Sequence, residues 1–148
     1  MDAKLSYRET AVQGASPVRL VVLLYEQVIE DVRAALGALG RGDIQTRTRH
    51  INHAILVIGH LQSSIDKEQG GKVAIDLERF YSQVRAGLVN AQCEQSARLL
   101  EQQISHLMTV HDAWCEVERS NAAPEPKLAA PAQPRAESEP GSSAEWNA

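Results

Sequence analysis

The sequence has few of the features that would place it in a membrane or on a nucleic acid. Its longest uninterrupted apolar run, residues 20–25, is far shorter than the roughly 20 residues that a membrane-spanning helix needs. The N-terminal residues include an acid, Asp2, and no apolar stretch typical of a secretory signal. Fifteen Lys and Arg against nineteen Asp and Glu leave a net charge of −4, whereas nucleic-acid binders more usually carry a positive surplus. We therefore expect a cytoplasmic protein that neither inserts into a membrane nor binds nucleic acid.

Cysteine is scarce, since only Cys93 and Cys115 occur. If a single helix joined them, the two residues would lie roughly 30 Å apart at about 1.5 Å per residue. A disulfide needs Cα atoms within about 7 Å of each other. We therefore expect no disulfide between them, which is consistent with a reducing compartment.

Proline is almost absent before residue 120, and this scarcity divides the chain. The one early proline, Pro17, follows Ser16, an N-cap and N1 arrangement that opens a helix. The other five prolines lie after residue 120, among Ala, Ser, Glu and Gly, a composition that cannot form a packed core. We expect an N-terminal arm over residues 1–15, a bundle over 16–119 and a disordered tail over 120–148.

Three short breaks, polar or bearing glycine, divide the proline-free stretch into four segments of similar length. They lie at residues 40–43, 69–71 and 90–96. At the first break, Asp43 is suited to cap the second helix. At the second break, Gly70 and Gly71 are expected to end that helix through a left-handed turn.

Apolar residues recur at helical spacing in every segment. Val21, Leu24 and Val28 step by three and four, and no segment alternates with a period of two. Segments of nearly equal length joined by short connections predict antiparallel neighbours. The expected fold is therefore all-α: an antiparallel up-down four-helix bundle, preceded by the arm and followed by the tail.

No motif in the sequence organises catalytic or metal chemistry. Bundles that hold two metals place paired Glu-x-x-His motifs on facing helices, and none occurs here. His50 and His53 form an i, i+3 pair, but no acid or cysteine at matching spacing completes a metal site. There is also no Gly-x-Ser-x-Gly elbow and no phosphate-cradling glycine loop. We therefore expect no enzymatic activity, no metal and no cofactor.

Histidine phosphotransfer is an alternative function for a small four-helix bundle with exposed histidines. Domains of that class resemble one another in carrying Lys and Gly three and four residues after the histidine. Leu56 and Val57 stand at those positions after His53, and two serines stand there after His60. The alternative is a signalling bundle that would take a phosphoryl group on one of these histidines without the usual cation beside it.

The first helix carries more apolar surface than a bundle requires. Residues 20–25 cover more than one full turn, whereas a bundle helix needs only a stripe. The third segment has a similar surplus around Leu77, Phe80 and Tyr81. Either the N-terminal arm covers these side chains permanently, or it is a movable cover over a groove for an amphipathic helix of another protein. Weak self-association through the same patch is a third interpretation.

A series of short segments is similar to a known family. The segments are YRET at residues 7–10, ASPVRL at 15–20, LYE at 24–26, GGKVAIDL at 70–77, FY at 80–81 and AW at 113–114. In this order they resemble the flagellar export chaperone family FliS, the cytoplasmic escort of flagellin. The resemblance covers residues 5–118, which is nearly everything outside the tail.

The resemblance implies a non-enzymatic chaperone that binds the disordered C-terminal segment of flagellin. It would prevent premature polymerisation and deliver flagellin to the flagellar type III export gate. A disordered client loses conformational freedom on binding, so the chaperone needs a large apolar contact surface in return. Trp114 is expected to fill the core. The residues predicted to contact the client are Leu5, Tyr7, Leu20, Leu24, Tyr25, Ile58, Leu61, Ile65, Leu77, Tyr81 and Val84.

Overall fold

The computed structural model describes residues 16–122, and in that range it contains four helices and no strand. The helices are α1 (Pro17–Arg41), α2 (Ile44–Ser63), α3 (Lys67–Glu94) and α4 (Ala97–Ala122). Of these residues, 16–114 belong to one compact unit and 115–122 to a second. The predicted all-α four-helix fold is confirmed. The predicted arm and residues 123–148 of the predicted tail lie outside the described residues.

Hydrogen bonds between neighbouring helices run in the order expected of antiparallel packing. Near the start of α2, Thr48 accepts a hydrogen bond of 2.8 Å from Gln92, which lies near the end of α3. Near the end of α2, Gln62 donates a hydrogen bond of 3.1 Å to Ser82, which lies earlier in α3. Later residues of one helix therefore meet earlier residues of the next, as in an up-down bundle.

All four helices contribute to one hydrophobic core. Val28, Ile58, Leu88 and Leu107, one from each helix, have no exposed surface and belong to a single cluster. Burying a side chain of this size stabilises the folded state by about 1.5–3 kcal/mol. The apolar residues are concentrated in this core, and none of the helices in residues 16–122 is long and apolar enough to cross a membrane.

Two predicted helix starts are confirmed by their capping bonds. The hydroxyl of Ser16 accepts a 3.1 Å hydrogen bond from the backbone N–H of Arg19. The carboxylate of Asp43 accepts one of the same length from the N–H of Thr46. Hydrogen bonding to the side chain and then to the backbone of Thr46 lowers the pKa of Asp43. Between the two helices, Gly42 adopts a left-handed φ of 73° that ends α1. The first predicted break is therefore confirmed at this glycine.

The predicted end of the second helix at Gly70 and Gly71 is wrong. The helix ends at Ser63, and the backbone N–H of Ser64 bonds to carbonyls of its last turn. The carboxylate of Asp66 then accepts hydrogen bonds from two N–H groups of the next turn, which starts α3. Gly71 does have a left-handed φ, 58°, but it produces a kink inside α3. Ser64 and Asp66, which precede the glycines, already make the hydrogen bonds that end α2 and start α3.

The third predicted break is confirmed at Gln95 and Ser96. Gln95 has a left-handed φ of 50°, and the hydroxyl of Ser96 accepts a 3.1 Å hydrogen bond from the N–H of Leu99. This break separates Cys93 on α3 from Cys115 on α4, so the single helix assumed for the distance between the thiols does not exist. Both cysteines are free.

Candidate binding cleft

An open, mainly apolar cleft with a volume of about 220 Å³ lies where α2 ends and α3 begins. We call it the α2–α3 cleft. The connection between the two helices and the first three turns of α3 form most of it, and α1 and α4 contribute one residue each. Its lining residues are Val21, Leu61, Ser64, Ile65, Asp66, Gly70, Val73, Ala74, Leu77, Tyr81 and Trp114.

A hydrogen-bonded pair of tyrosines from two helices lies at the inner side of the cleft. The hydroxyl of Tyr25 on α1 donates a 2.9 Å hydrogen bond to the hydroxyl of Tyr81 on α3, and the ring centroids are 6.1 Å apart. Trp114 on α4 packs against the same core cluster and lines the cleft together with Tyr81. Burial raises the pKa of both phenols, so both hydroxyls stay protonated at neutral pH. Because this bond joins α1 to α3, it fixes the position of Tyr81 at the inner side of the cleft.

The start of α3 forms the outer wall of the cleft. Asp66 accepts hydrogen bonds of 3.1 Å from the N–H groups of Glu68 and Gln69, which holds the first turn together. Gly71, with φ 58° and ψ −136°, then bends that turn away from the axis of the rest of α3. Gly70, from before the bend, lines the cleft together with residues from after it.

The most exposed apolar side chain of the cleft comes from α3. Val73, which lines the cleft, is 65% exposed. By contrast, no residue of the apolar run 20–25 is exposed, and three of the six, Val22, Leu23 and Tyr25, are buried. From that run the cleft receives only Val21. The first helix therefore contributes less to the cleft than its apolar run suggests.

The structure brings four of the predicted contact residues together at the cleft: Leu61, Ile65, Leu77 and Tyr81. Leu20 and Leu24 are partly buried on α1 and do not line it. The remaining predicted contacts divide into two groups, one inside the core and one outside the described residues.

Tyr25, Ile58 and Val84 are core residues, because their side chains are enclosed by the hydrophobic cluster. They present no surface that another protein could touch in this arrangement. Leu5 and Tyr7 lie outside the described residues.

The prediction missed Val73 as a lining residue. The signal was present in the sequence, since Val73, Leu77 and Tyr81 follow one another at intervals of four and share one face of a helix. Trp114, expected in the core, packs against the core cluster on one side and lines the cleft on the other. A partly buried tryptophan has surface enough for both contacts.

A polar cluster between α1 and α2 was also not foreseen. The buried carboxylate of Asp31 accepts hydrogen bonds from Nδ1 of His50 at 2.9 Å and Nδ1 of His53 at 2.5 Å. Gln27 donates a third at 3.2 Å. The acid that the histidine pair lacks along its own helix is therefore supplied by another helix. Within residues 16–122, no three His, Cys, Asp or Glu side chains form a group that could hold a metal ion.

Comparison with known proteins assigns the family. Residues 1–121 match the profile of the family described as flagellar protein FliS. The flagellar secretion chaperone FliSB of Pseudomonas aeruginosa is 35% identical over 118 residues, which cover 77% of this chain and 94% of that protein. The flagellar secretion chaperone FliS of Salmonella typhimurium is 27% identical over 110 residues, which cover 74% of this chain and 82% of the relative. The resemblance read from the short segments is thus confirmed, and the chain belongs to the FliS family of flagellar secretion chaperones.

Proposed function

We propose that this chain is a cytoplasmic, non-enzymatic chaperone that binds the disordered C-terminal segment of flagellin at the α2–α3 cleft. By holding that segment it prevents flagellin from polymerising before export, and it delivers flagellin to the flagellar type III export gate. The observation that carries the proposal is an open apolar cleft, bordered by exposed apolar residues, in a member of the FliS family.

The size and chemistry of the cleft favour a peptide over a small molecule. Pockets for small molecules usually measure about 300–1,000 Å³ and enclose most of the ligand, whereas this cleft is smaller, at about 220 Å³, and open. An amphipathic helix needs shallow sites for side chains spaced three or four residues apart. The cleft is open, and Val73, Leu77 and Tyr81 line it at intervals of four along α3, which suits that pattern.

The cost of ordering the client sets how much apolar surface the contact must bury. Ordering a disordered segment costs about 2–5 kcal/mol, which takes roughly 80–200 Å² of buried apolar surface to offset at about 25 cal/mol per Å². We propose that Val21, Val73 and Trp114 join the four predicted residues already at the cleft as contacts. Leu5 and Tyr7 stay in the proposed contact set.

The test compares two exposed apolar residues of similar exposure. Val73 is 65% exposed and lines the cleft, whereas Leu56 is 59% exposed and does not. Val73→Asp should weaken binding of a flagellin C-terminal peptide at least about tenfold, because the client would desolvate a carboxylate. Leu56→Asp should change the affinity little.

The measurement is titration of the peptide followed by circular dichroism, which reports both affinity and the helix gained on binding. A peptide that stays unstructured at saturating concentrations of the unmodified protein would refute the proposal. Equal affinities for the two variants would place the binding surface elsewhere.

A further inference from the structure

The first turn of α3 is folded back toward the helix that follows it. Gly71 has φ 58° and ψ −136°, a combination that glycine adopts far more readily than any other residue. Lys67 and Glu78 form an ion pair of 2.9 Å across this bend. In a straight helix the same two residues would lie roughly 16 Å apart along the axis, farther than their side chains reach together. The ion pair can therefore form only in the bent arrangement.

Gly70 gives a second, independent indication of the same bend. A Cβ atom added at this position would lie 2.6 Å from the Cβ of Ala74. In a straight helix, Cβ atoms four residues apart are about 5–6 Å from each other. The backbone at Gly70 thus lies against Ala74 more closely than any side chain would permit, so the bend depends on glycine at both positions.

The bend also decides the shape of the α2–α3 cleft. Asp66 and Gly70, from before the bend, line the cleft together with Val73 and Leu77 from after it. These residues follow one another at intervals of three and four, so a straight helix would also place them on one face. What the bend changes is the angle between the first turn and the rest of α3, and with it the position of the outer wall relative to Val73 and Leu77.

We infer that Lys67 and Glu78 are positioning residues that hold the first turn of α3 as a wall against an apolar segment bound in the cleft. Neither residue lines the cleft, so both act through the backbone of residues 66–70. The identity of the bound segment rests on the proposed function, whereas the wall and its ion pair do not.

The ion pair stabilises the bent arrangement only weakly. The Lys67 and Glu78 side chains are 60% and 36% exposed, and pairs with that exposure shift an equilibrium by roughly two- to fivefold. Loss of the pair should leave the bundle folded and populate the open wall more often. A bound segment should then dissociate faster, because one side of its site is missing part of the time.

The experiment uses Trp114 as a reporter of the wall. The chain has two tryptophans, so Trp146→Phe leaves the one that lines the cleft. In this background, Glu78→Gln should make Trp114 fluorescence more sensitive to quenching by acrylamide. It should also speed dissociation of the flagellin C-terminal peptide by about two- to fivefold. The exchange Lys67→Glu with Glu78→Lys should restore both values.

Gly71→Ala provides a larger perturbation of the same wall. Alanine strongly disfavours the φ and ψ of this position and favours a straight helix, so both readouts should change about tenfold or more. Gly40→Ala is the matched control, because Gly40 also lies in a helix and a Cβ there meets nothing within 4 Å. Far-UV circular dichroism and thermal unfolding establish that each variant is folded. If Gly71→Ala does not fold, Glu78→Gln and the charge exchange decide the outcome.

The readouts separate the two proposals. Unchanged Trp114 quenching in a folded Glu78→Gln protein overturns the wall, whatever the peptide does. Failure of the charge exchange to reverse an effect of Glu78→Gln overturns the role of the ion pair. If the peptide binds no variant while quenching changes and reverts as expected, the wall stands and the proposed client is wrong.

Discussion

The contact between α1 and α2 is closed around a buried polar cluster. The contact between α2 and the start of α3 leaves an open apolar cleft. Between α1 and α2, even a buried carboxylate, Asp31, is satisfied by His50, His53 and Gln27. Between α2 and the start of α3, apolar side chains are left around an open cleft. The chain thus satisfies a buried polar group at the first contact and leaves apolar side chains accessible at the second. The first contact is closed, and the second leaves the opening at which we propose that the client binds.

The largest effect expected from this comparison is on stability, and it separates a core residue from a cleft residue. Ile58→Ala removes a fully buried side chain and should lower the free energy of unfolding by about 2–5 kcal/mol. Val73→Ala, at an exposed position of the cleft, should change it by no more than about 0.5 kcal/mol. Urea unfolding measures both values. Similar losses for the two variants would mean that the cleft belongs to the core.

A smaller effect is expected at the polar cluster. Asp31→Asn keeps the size of the side chain but leaves one oxygen to accept hydrogen bonds from two histidines. We expect a loss of about 1–3 kcal/mol in the free energy of unfolding, because a buried polar group loses a partner. The affinity for the flagellin peptide should be unchanged, since the cluster does not line the cleft. A large loss of affinity in a protein of normal stability would contradict the separation of the two contacts.

The smallest effect concerns the tyrosine pair and alkaline pH. Burial raises the pKa of Tyr25 and Tyr81 in the folded protein, whereas an unfolded tyrosine ionises near pH 10. Above about pH 10 the unfolded chain loses protons that the folded chain retains, so stability should fall as the pH rises. The double variant Tyr25→Phe with Tyr81→Phe should show a shallower fall than the unmodified protein in urea unfolding between pH 9.5 and 11. Parallel pH profiles would show that the pair does not contribute.

Helix starts could be predicted because they depend on residues close together in the sequence. Ser16 and Asp43 cap their helices through bonds to N–H groups three residues later, and both caps were predicted correctly. The helical spacing of apolar residues is local in the same sense, and it led to the four-helix fold. The family resemblance likewise depended on short segments in a fixed order.

The cleft was predicted only in part, because helical spacing cannot tell how deeply a residue is buried. Leu77 and Ile58 both occupy apolar positions of their helices, yet Leu77 lines the cleft and Ile58 is enclosed. Which of the two occurs depends on what the other helices place opposite each residue. The hydrogen bonds from His50 and His53 to Asp31 were not predicted for the same reason, because they join two helices.

The sequence by itself determined the helical spacing, the caps at Ser16 and Asp43 and the family, because each depends on residues that are close together in the chain. The tertiary structure alone decided what Gly70 and Gly71 do. The same two glycines could end a helix or bend one, and both outcomes use the same left-handed backbone. The choice depended on the packing around them, in which Gly70 lies against Ala74 and Lys67 reaches Glu78 across the bend.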